Sequence, residues 1–389
     1  MCSAIHTRVH GAQDTEFAAC PRCGAAEGKV VLEGRDYLHR IEGSFYCWLC
    51  AGCGLRYQNP RPTADRLEQL YPSSYAPHLA HTSNSNGTSS GPKSNSQPPE
   101  PRKTTSWLLR WSSRLVYSLS YRTGIGFSYP DVEEMETFLH NQMGYKDSES
   151  SSKRKTKVLS SKVLQACRRM AGIDLIAMFV PNGRLLEVGC ATGTRLQSYR
   201  ERGWENLFGI ELAEQAAKQA QQRGFSVVCE PVETALEKFP DGSFDVIVSS
   251  MVLEHLHNPF SVVHTIARKL KPGGEFLFST VTLDGLDARW FGKYWGGYDF
   301  PRHMVYLRMA DIRKMVSREF EQLECFHQNA PIDFVRSATW RGPEKRLGDR
   351  FIAELASAPF GQSVCEFLAR IGQTCRVSLR CRRKTGDIL

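Results

Sequence analysis

The sequence predicts an α/β chain, a parallel sheet with helices on both faces, preceded by a small cysteine-rich module. Three observations carry this. Over residues 183–274 short apolar runs alternate with helical patterns, the mark of strand–helix–strand units. The first run ends in a glycine turn within LLEVGCATGTRL, residues 185–196. Near the N-terminus stand two matched cysteine knuckles, Cys20-Pro-Arg-Cys23-Gly and Cys50-Ala-Gly-Cys53-Gly.

The elements follow in order. Strands are expected at 184–188, 207–211, 226–229, 244–249 and 275–280, with helices over stretches such as 213–223 and 259–270. Alternation across Cys375, Val377, Leu379 and Cys381 predicts a last strand, and residues 340–370 read as helical. Residues 17–78 form the cysteine module, whose end, 61–78, reads as a short helix and a turn. Residues 79–106 (TSNSNGTSSGPKSNSQPPEP at their centre) are a flexible linker, too polar to bury a core. Residues 107–145 carry Trp107, Trp111, Leu115 and Leu119 at helical spacing, with no acidic residue from Pro101 to Pro130. Such a helix packs on a core or, at 107–121, lies on anionic lipid. A polar loop spans 146–157, the main α/β domain 158–334, and a helical cover with the last strand 335–389.

Bulk properties narrow the class. A chain of 389 residues suits two or three domains. The net charge of +9 is moderate and fits a solvated surface as well as an anionic partner. Residues 335–389 hold 11 Lys and Arg against 5 Asp and Glu, a surface able to touch phosphate or lipid. Residues 1–20 lack the apolar run of a secretory signal, and no stretch approaches a membrane span. A cytoplasmic location, possible at a membrane periphery, is therefore expected. There thiols stay reduced, and clustered cysteines read as metal ligands. Two CxxC pairs with 26 residues between Cys23 and Cys50 complete a closed four-cysteine zinc site of structural type. Cys47 offers an alternative pair with Cys50. The set Cys20, Cys23, Cys50 and Cys53 is preferred because Gly54 follows Cys53 as Gly24 follows Cys23.

The glycine turn carries the chemistry. Small residues at Gly189, Ala191 and Gly193 let a ligand approach the backbone, and the helix that follows offers free N–H groups. Glu211 stands 24 residues after Glu187, near the spacing at which such folds place an acid on a ribose. The carboxylate of Glu187 before the turn suits a ligand with a cationic amino-acid end better than a pyrophosphate.

LLEVGCATGTRL, FGIELAEQAAKQAQQRG, FPDGSFDVIVSSMVLEHLHNP and ARKLKPGGEFLFST together resemble the motifs of class I methyltransferases, which use S-adenosylmethionine on a Rossmann-like seven-stranded sheet. By that resemblance Glu187, Gly189, Cys190, Ala191 and Gly193 border the methionine part of the cofactor. Glu211 and Leu212 hold the ribose side, Val232 and Glu233 lie near the adenine, and Ser249 and Ser250 end the fourth strand. Pro231 departs from the pattern, since many relatives carry an Asp there. A wider resemblance, through the cysteine module, NPRP and WFGKYWGGYDFPRHMVYL, is to a bacterial group of methyltransferases with an N-terminal zinc-ribbon-like module.

Candidate bases lie after the fourth and fifth strands: Glu254 and His255 in LEHLHNP, and His303 or Asp299 in YDFPRH, the histidine being preferred because it titrates near neutrality. Some quinone-precursor methyltransferases bind a divalent ion through a further Glu three residues earlier; Met251 occupies that position, and no catalytic metal is expected. Trp290, Phe291, Tyr294, Trp295, Tyr298 and Phe300 are expected on a loop forming a lid or acceptor pocket. The leading function is methyl transfer to a small-molecule, sugar or lipid-linked acceptor. The alternatives are an RNA methyltransferase aided by the zinc ribbon, and a non-catalytic cofactor-binding interaction protein.

Overall fold

The computed structural model of the chain describes residues 15–71, 177–341, 348 and 359–385. The expected linker, the aromatic basic segment 107–145 and the polar loop 146–157 lie outside the described residues. The same holds for 72–78, 158–176 and much of 342–358.

Thirteen strands occur among the described residues. In the N-terminal part they are β1 (Thr15–Glu16), β2 (Gly28–Gly34), β3 (Phe45–Cys50), β4 (Arg56–Gln58) and β5 (Arg61–Pro62). The α/β part holds β6 (Arg184–Val188), β7 (Asn206–Glu211), β8 (Ser226–Cys229), β9 (Phe244–Ser250), β10 (Leu270–Val281), β11 (Val305–Tyr306), β12 (Phe320–His327) and β13 (Arg376–Arg383). Its helices are α1 (Thr194–Glu201), α2 (Glu214–Gln222), α3 (Val232–Glu237), α4 (Pro259–Lys269), α5 (Leu286–Phe291), α6 (Met309–Ser317), α7 (Pro331–Trp340) and α8 (Pro359–Arg370).

The main sheet has seven strands in the order β12-β13-β10-β9-β6-β7-β8. The run from β10 to β8 is parallel, and β13 enters antiparallel between β10 and β12. The first four expected strands occur within one residue of their expected ends, whereas β10 begins five residues earlier than the predicted 275. The eight residues of β12 went unread, because FEQLECFH alternates too weakly between apolar and polar to signal a strand.

Period-two alternation puts the two faces in two cores. Leu185, Val246, Val248 and Leu277 pack with Leu196 and Tyr199 of α1 and Ala220 of α2. Leu186, Val188, Ile247, Phe276 and Phe278 point the other way, onto α3, α4 and α6. Helix α4 starts at Pro259 behind Asn258, whose side chain accepts the Ser261 N–H at 3.1 Å. A cap of this kind stabilises a helix by about 1 kcal/mol.

The cysteine module does not stand apart. Its sheet runs β11-β4-β3-β2, so a strand of the α/β part completes it. Tyr46, Trp48, Leu55 and Tyr57 share one core with Leu307, Ile312 and α4. The segment expected as a short helix after the knuckles forms two 3-10 turns, Ala64–Arg66 and Glu68–Leu70. No helix among the described residues is long and apolar enough to cross a membrane.

Candidate active site and cysteine centre

Sheet order gathers the cofactor-side residues. β6 lies between β7 and β9, with Val188 opposite Ile210 on one side and Ser249 on the other. The turn after β6, the end of β7 and the end of β9 therefore meet at one edge, where ligands bind in such sheets. Gly189 sits there at φ +74°, and a Cβ on it would fall 2.4 Å from Val252 Cγ2. Its N–H and that of Cys190 donate to the Ile210 carbonyl at 2.9 and 3.0 Å. Ala191, at φ +46°, donates its N–H to Glu211 Oε2 at 2.8 Å, while Glu211 Oε1 accepts from Ala213 N at 2.9 Å. Gly193 opens α1 in the left-handed region, φ +78°.

Glu187 is buried beside the turn. Arg195 Nε lies 3.6 Å from its Oε1, and Oε2 is a buried oxygen with no hydrogen-bond partner. Burial pushes this carboxyl up to about 7; Arg195 opposes the rise, and the nearby Glu211 charge adds to it. Ser249 Oγ is likewise buried and unpartnered, whereas Ser250 Oγ meets Ser279 Oγ at 2.7 Å. The Cys190 thiol is buried in the α1–α2 core, leaving only its backbone at the edge. Val232 belongs to the opposite core, Glu233 is exposed and Leu212 is half-buried.

Across β9, Glu254, His255 and His303 come together although His255 and His303 lie 48 positions apart. One ligand atom from each of Glu254, His255 and His303 lies within 4.8 Å of the others, and the two imidazole centroids are 4.5 Å apart. Glu254 Oε2 accepts from Thr280 Oγ1 at 2.7 Å, and Oε1 is buried without a partner. Burial raises the Glu254 carboxyl; the neighbouring His303 ring and the Thr280 hydroxyl pull against it. His255 is pressed down to about 3, first by burial and then by His303, so its imidazole is neutral near pH 7. Its Nδ1 faces the Tyr71 hydroxyl at 2.9 Å and the Arg302 carbonyl at 3.2 Å. His303 Nδ1 lies 2.8 Å from the Gly297 carbonyl. A carbonyl only accepts, so Nδ1 donates here, and Nε2 lies 3.9 Å from Asp299 Oδ2.

The expected aromatic loop folds differently. It forms α5 and two 3-10 turns, and Phe291, Tyr294, Trp295, Tyr298 and Phe300 are buried with Cys47, Tyr306 and Phe334. These rings cement the cysteine module to the α/β part and are not an open lid; Trp290 alone of the six stays 38% exposed. The reason is physical: large apolar rings next to a second apolar surface gain more by covering it than by facing water.

In the cysteine centre Cys20, Cys23, Cys50 and Cys53 bring their sulfurs within 4.8 Å of one another, and Cys47 is outside the group. Sγ separations are 3.6 Å for Cys20–Cys53 and 3.5 Å for Cys23–Cys50. A tetrahedral zinc with bonds of about 2.3 Å needs sulfurs about 3.8 Å apart, so the donor set fits that ion. Both knuckles close alike: Gly24 (φ +74°) and Gly54 (φ +73°) donate to the carbonyls of Cys20 and Cys50. Burial opposes ionisation of Cys50, but the backbone N–H groups of Cys53 and Gly52 and the Cys23 thiol bring it down to about 7.

Sequence reasoning missed Arg302, which is fully buried between Asp36 and Asp299. Its place beside His303 in PRH was the one available signal; nothing in the local sequence marked Asp36.

Residues 161–320 match the family model of a methyltransferase domain. The chain is 36% identical over 144 residues to the ubiquinone biosynthesis O-methyltransferase of Idiomarina loihiensis, covering 34% of this chain and 58% of that protein. It is 38% identical over 105 residues to an uncharacterised protein of Haemophilus influenzae, covering 25% and 41% respectively. The chain thus spans less than two thirds of the length of these curated relatives. Among solved structures it is similar to an S-adenosylmethionine-dependent methyltransferase from Archaeoglobus fulgidus (18% identity, TM-score 0.38, 57% of this chain and 94% of that one). It is also similar to the geranyl diphosphate C-methyltransferase of Streptomyces coelicolor (16% identity, TM-score 0.38, 61% and 86%).

Proposed function

We propose, for a chain whose residues 161–320 match the family model of a methyltransferase domain, that it transfers the methyl group of S-adenosylmethionine to a hydroxyl of a small molecule, a sugar or lipid-linked acceptor among them. The observation that carries this reading is the unpartnered, buried oxygen of Glu187 beside a turn where a Cβ on Gly189 would fall 2.4 Å from Val252 Cγ2. An orphaned buried carboxylate oxygen is costly, and the cationic amino-acid end of the cofactor would satisfy it. Gly189, Ala191 and Gly193 would border that end, and Glu211, held by two backbone amides, would take the ribose hydroxyls.

The bound cofactor supplies an activated methyl on a sulfonium, and displacement is in line. The protein's part is to place the acceptor oxygen and remove its proton. His303, its ring held by the Nδ1 bond to the Gly297 carbonyl, is the base, acting through Nε2, and neutral His255 and Glu254 line the same spot. The name shared by several curated relatives, ubiquinone biosynthesis O-methyltransferase, supports oxygen as the methylated atom. Four thiolates would hold one structural zinc in the N-terminal module.

The test incubates the full chain with radiolabelled S-adenosylmethionine and fractionated cell extract. Label is expected in a small-molecule or lipid fraction, with Gly189→Arg and His303→Gln abolishing it. Label confined to RNA, or none at all despite cofactor uptake, would overturn the acceptor class or the catalytic reading respectively.

A further inference from the structure

Asp36 lies in the cysteine module, just after β2, and is fixed by its own loop: Oδ1 accepts from Leu38 N at 2.9 Å and His39 N at 3.0 Å, and Oδ2 from Ile41 N at 3.3 Å. The same two oxygens grip Arg302, 266 positions later, through Nη1 at 3.0 Å and Nη2 at 2.8 Å. Asp299 holds the other edge of the guanidinium, accepting from Nε at 3.2 Å and Nη2 at 2.8 Å, and the Phe300 carbonyl accepts at 3.2 Å. Both side chains of the Asp36–Arg302 pair are 0% exposed. Arg302 is covalently next to His303, and its carbonyl faces His255 Nδ1. A second contact comes from the same part of the chain, the Tyr71 hydroxyl on His255 Nδ1.

We infer that the cysteine module belongs to the catalytic apparatus, with Asp36 as the positioning residue that orients His303 and His255 through Arg302. This rests on the reading of those histidines as the acceptor side of the site. Apolar contact alone would glue the module in place, and a buried ion pair is a poor glue compared with well-packed hydrophobic side chains. What a bidentate fork supplies is orientation. Here it is delivered to the residue adjoining the base.

The experiment uses the full chain with ¹⁵N-labelled histidine, with and without S-adenosylhomocysteine. Ring signals are assigned with His303→Gln and His255→Gln. In the parent protein His303 is expected to show a single Nδ1–H tautomer. In Asp36→Asn its ring nitrogens should average between tautomers and its Nδ1 proton exchange about tenfold faster or more, while homocysteine-adduct affinity stays within about twofold. Arg61→Ala serves as the control for simple loosening. It breaks another module contact, Arg61 Nη1 to the His257 carbonyl at 3.0 Å, and should leave the His303 signals unchanged. If Asp36→Asn does not fold, Tyr71→Phe is read at His255 instead, with a changed tautomer expected. Unaltered ring signals in the folded variant, or an equal change in Arg61→Ala, would overturn the inference. Failure of the parent to take up the homocysteine adduct sinks the cofactor reading instead, and the ring signals still report on Asp36.

Discussion

Replacing Gly189 by alanine isolates two costs that the structure keeps separate. The first is backbone: at φ +74° an L-residue pays roughly 1–2 kcal/mol. The second is steric: the new Cβ would stand 2.4 Å from Val252 Cγ2. Valine is stiff at χ1, so the methyl cannot swing away without moving its backbone, and such overpacking costs about 1–3 kcal/mol. Together they predict a loss of roughly 2–5 kcal/mol in chemical denaturation, large against a typical domain stability of about 5–15 kcal/mol but survivable. The two parts can be divided by repeating the change in a Val252→Ala background. There the steric part vanishes, and Gly189→Ala should cost only the roughly 1–2 kcal/mol of the dihedral. Calorimetric titration with S-adenosylhomocysteine follows both proteins. Affinity should fall in the single variant and recover in part in the double one, since the displaced Val252 lies at the mouth of the same turn. A stability change under about 0.5 kcal/mol, in the range of an ordinary surface substitution, or an equal loss in both backgrounds would refute this account of the turn.

Two further outcomes follow from the charges and the thiols. Glu187 has a folded pKa of about 7 against an ordinary 4.5, so the folded state holds its proton more tightly; that contribution is present below pH 4.5 and lost as pH rises through 7. The loss is roughly 3 kcal/mol; denaturation at pH 4.5 and 7.5 should show it, and Glu187→Gln should remove it. Because the cationic donor favours the ionised carboxylate, its uptake at pH 6 should release a proton, seen as a binding heat that differs between buffers of unlike ionisation enthalpy; equal heats would count against a Glu187 contact. For the cysteine centre, elemental analysis should find one zinc per chain, lost in Cys53→Ser or on chelation. Structural zinc supplies about 10–16 kcal/mol in small modules, so proteases should then cut within 15–71 first, and a metal-free chain with an unchanged melt would argue against the site.

Legibility varied from one feature to the next. The strands β6, β7, β8 and β9 could be read within one residue because each is a short run rich in β-branched or apolar residues, as in Arg184–Val188 between Gly183 and Gly189. Short-range chemistry of this kind is carried by neighbours along the chain. The knuckle glycines likewise showed their role in advance, since left-handed backbone after a CxxC demands glycine locally. The aromatic segment 290–300, expected as a lid or acceptor pocket, packs inward instead, because whether a ring faces solvent depends on what packs over it, and those partners, Leu32 of β2 and Phe45 of β3, lie some 250 positions away.

What the amino-acid order determined by itself was every feature set by period, spacing or backbone preference: the alternating strands and helices, the glycine turn with its two carboxylates, and the paired thiols. What only the tertiary structure decided was which distant groups share one dry space. The meeting of Glu254, His255 and His303, the strand Val305–Tyr306 added to the cysteine module and the grip of Asp36 on Arg302 all depend on chain closure over long separations. No local rule encodes them, because their free energy comes from burial and from pairing charges away from water, and both exist only once the surfaces have met.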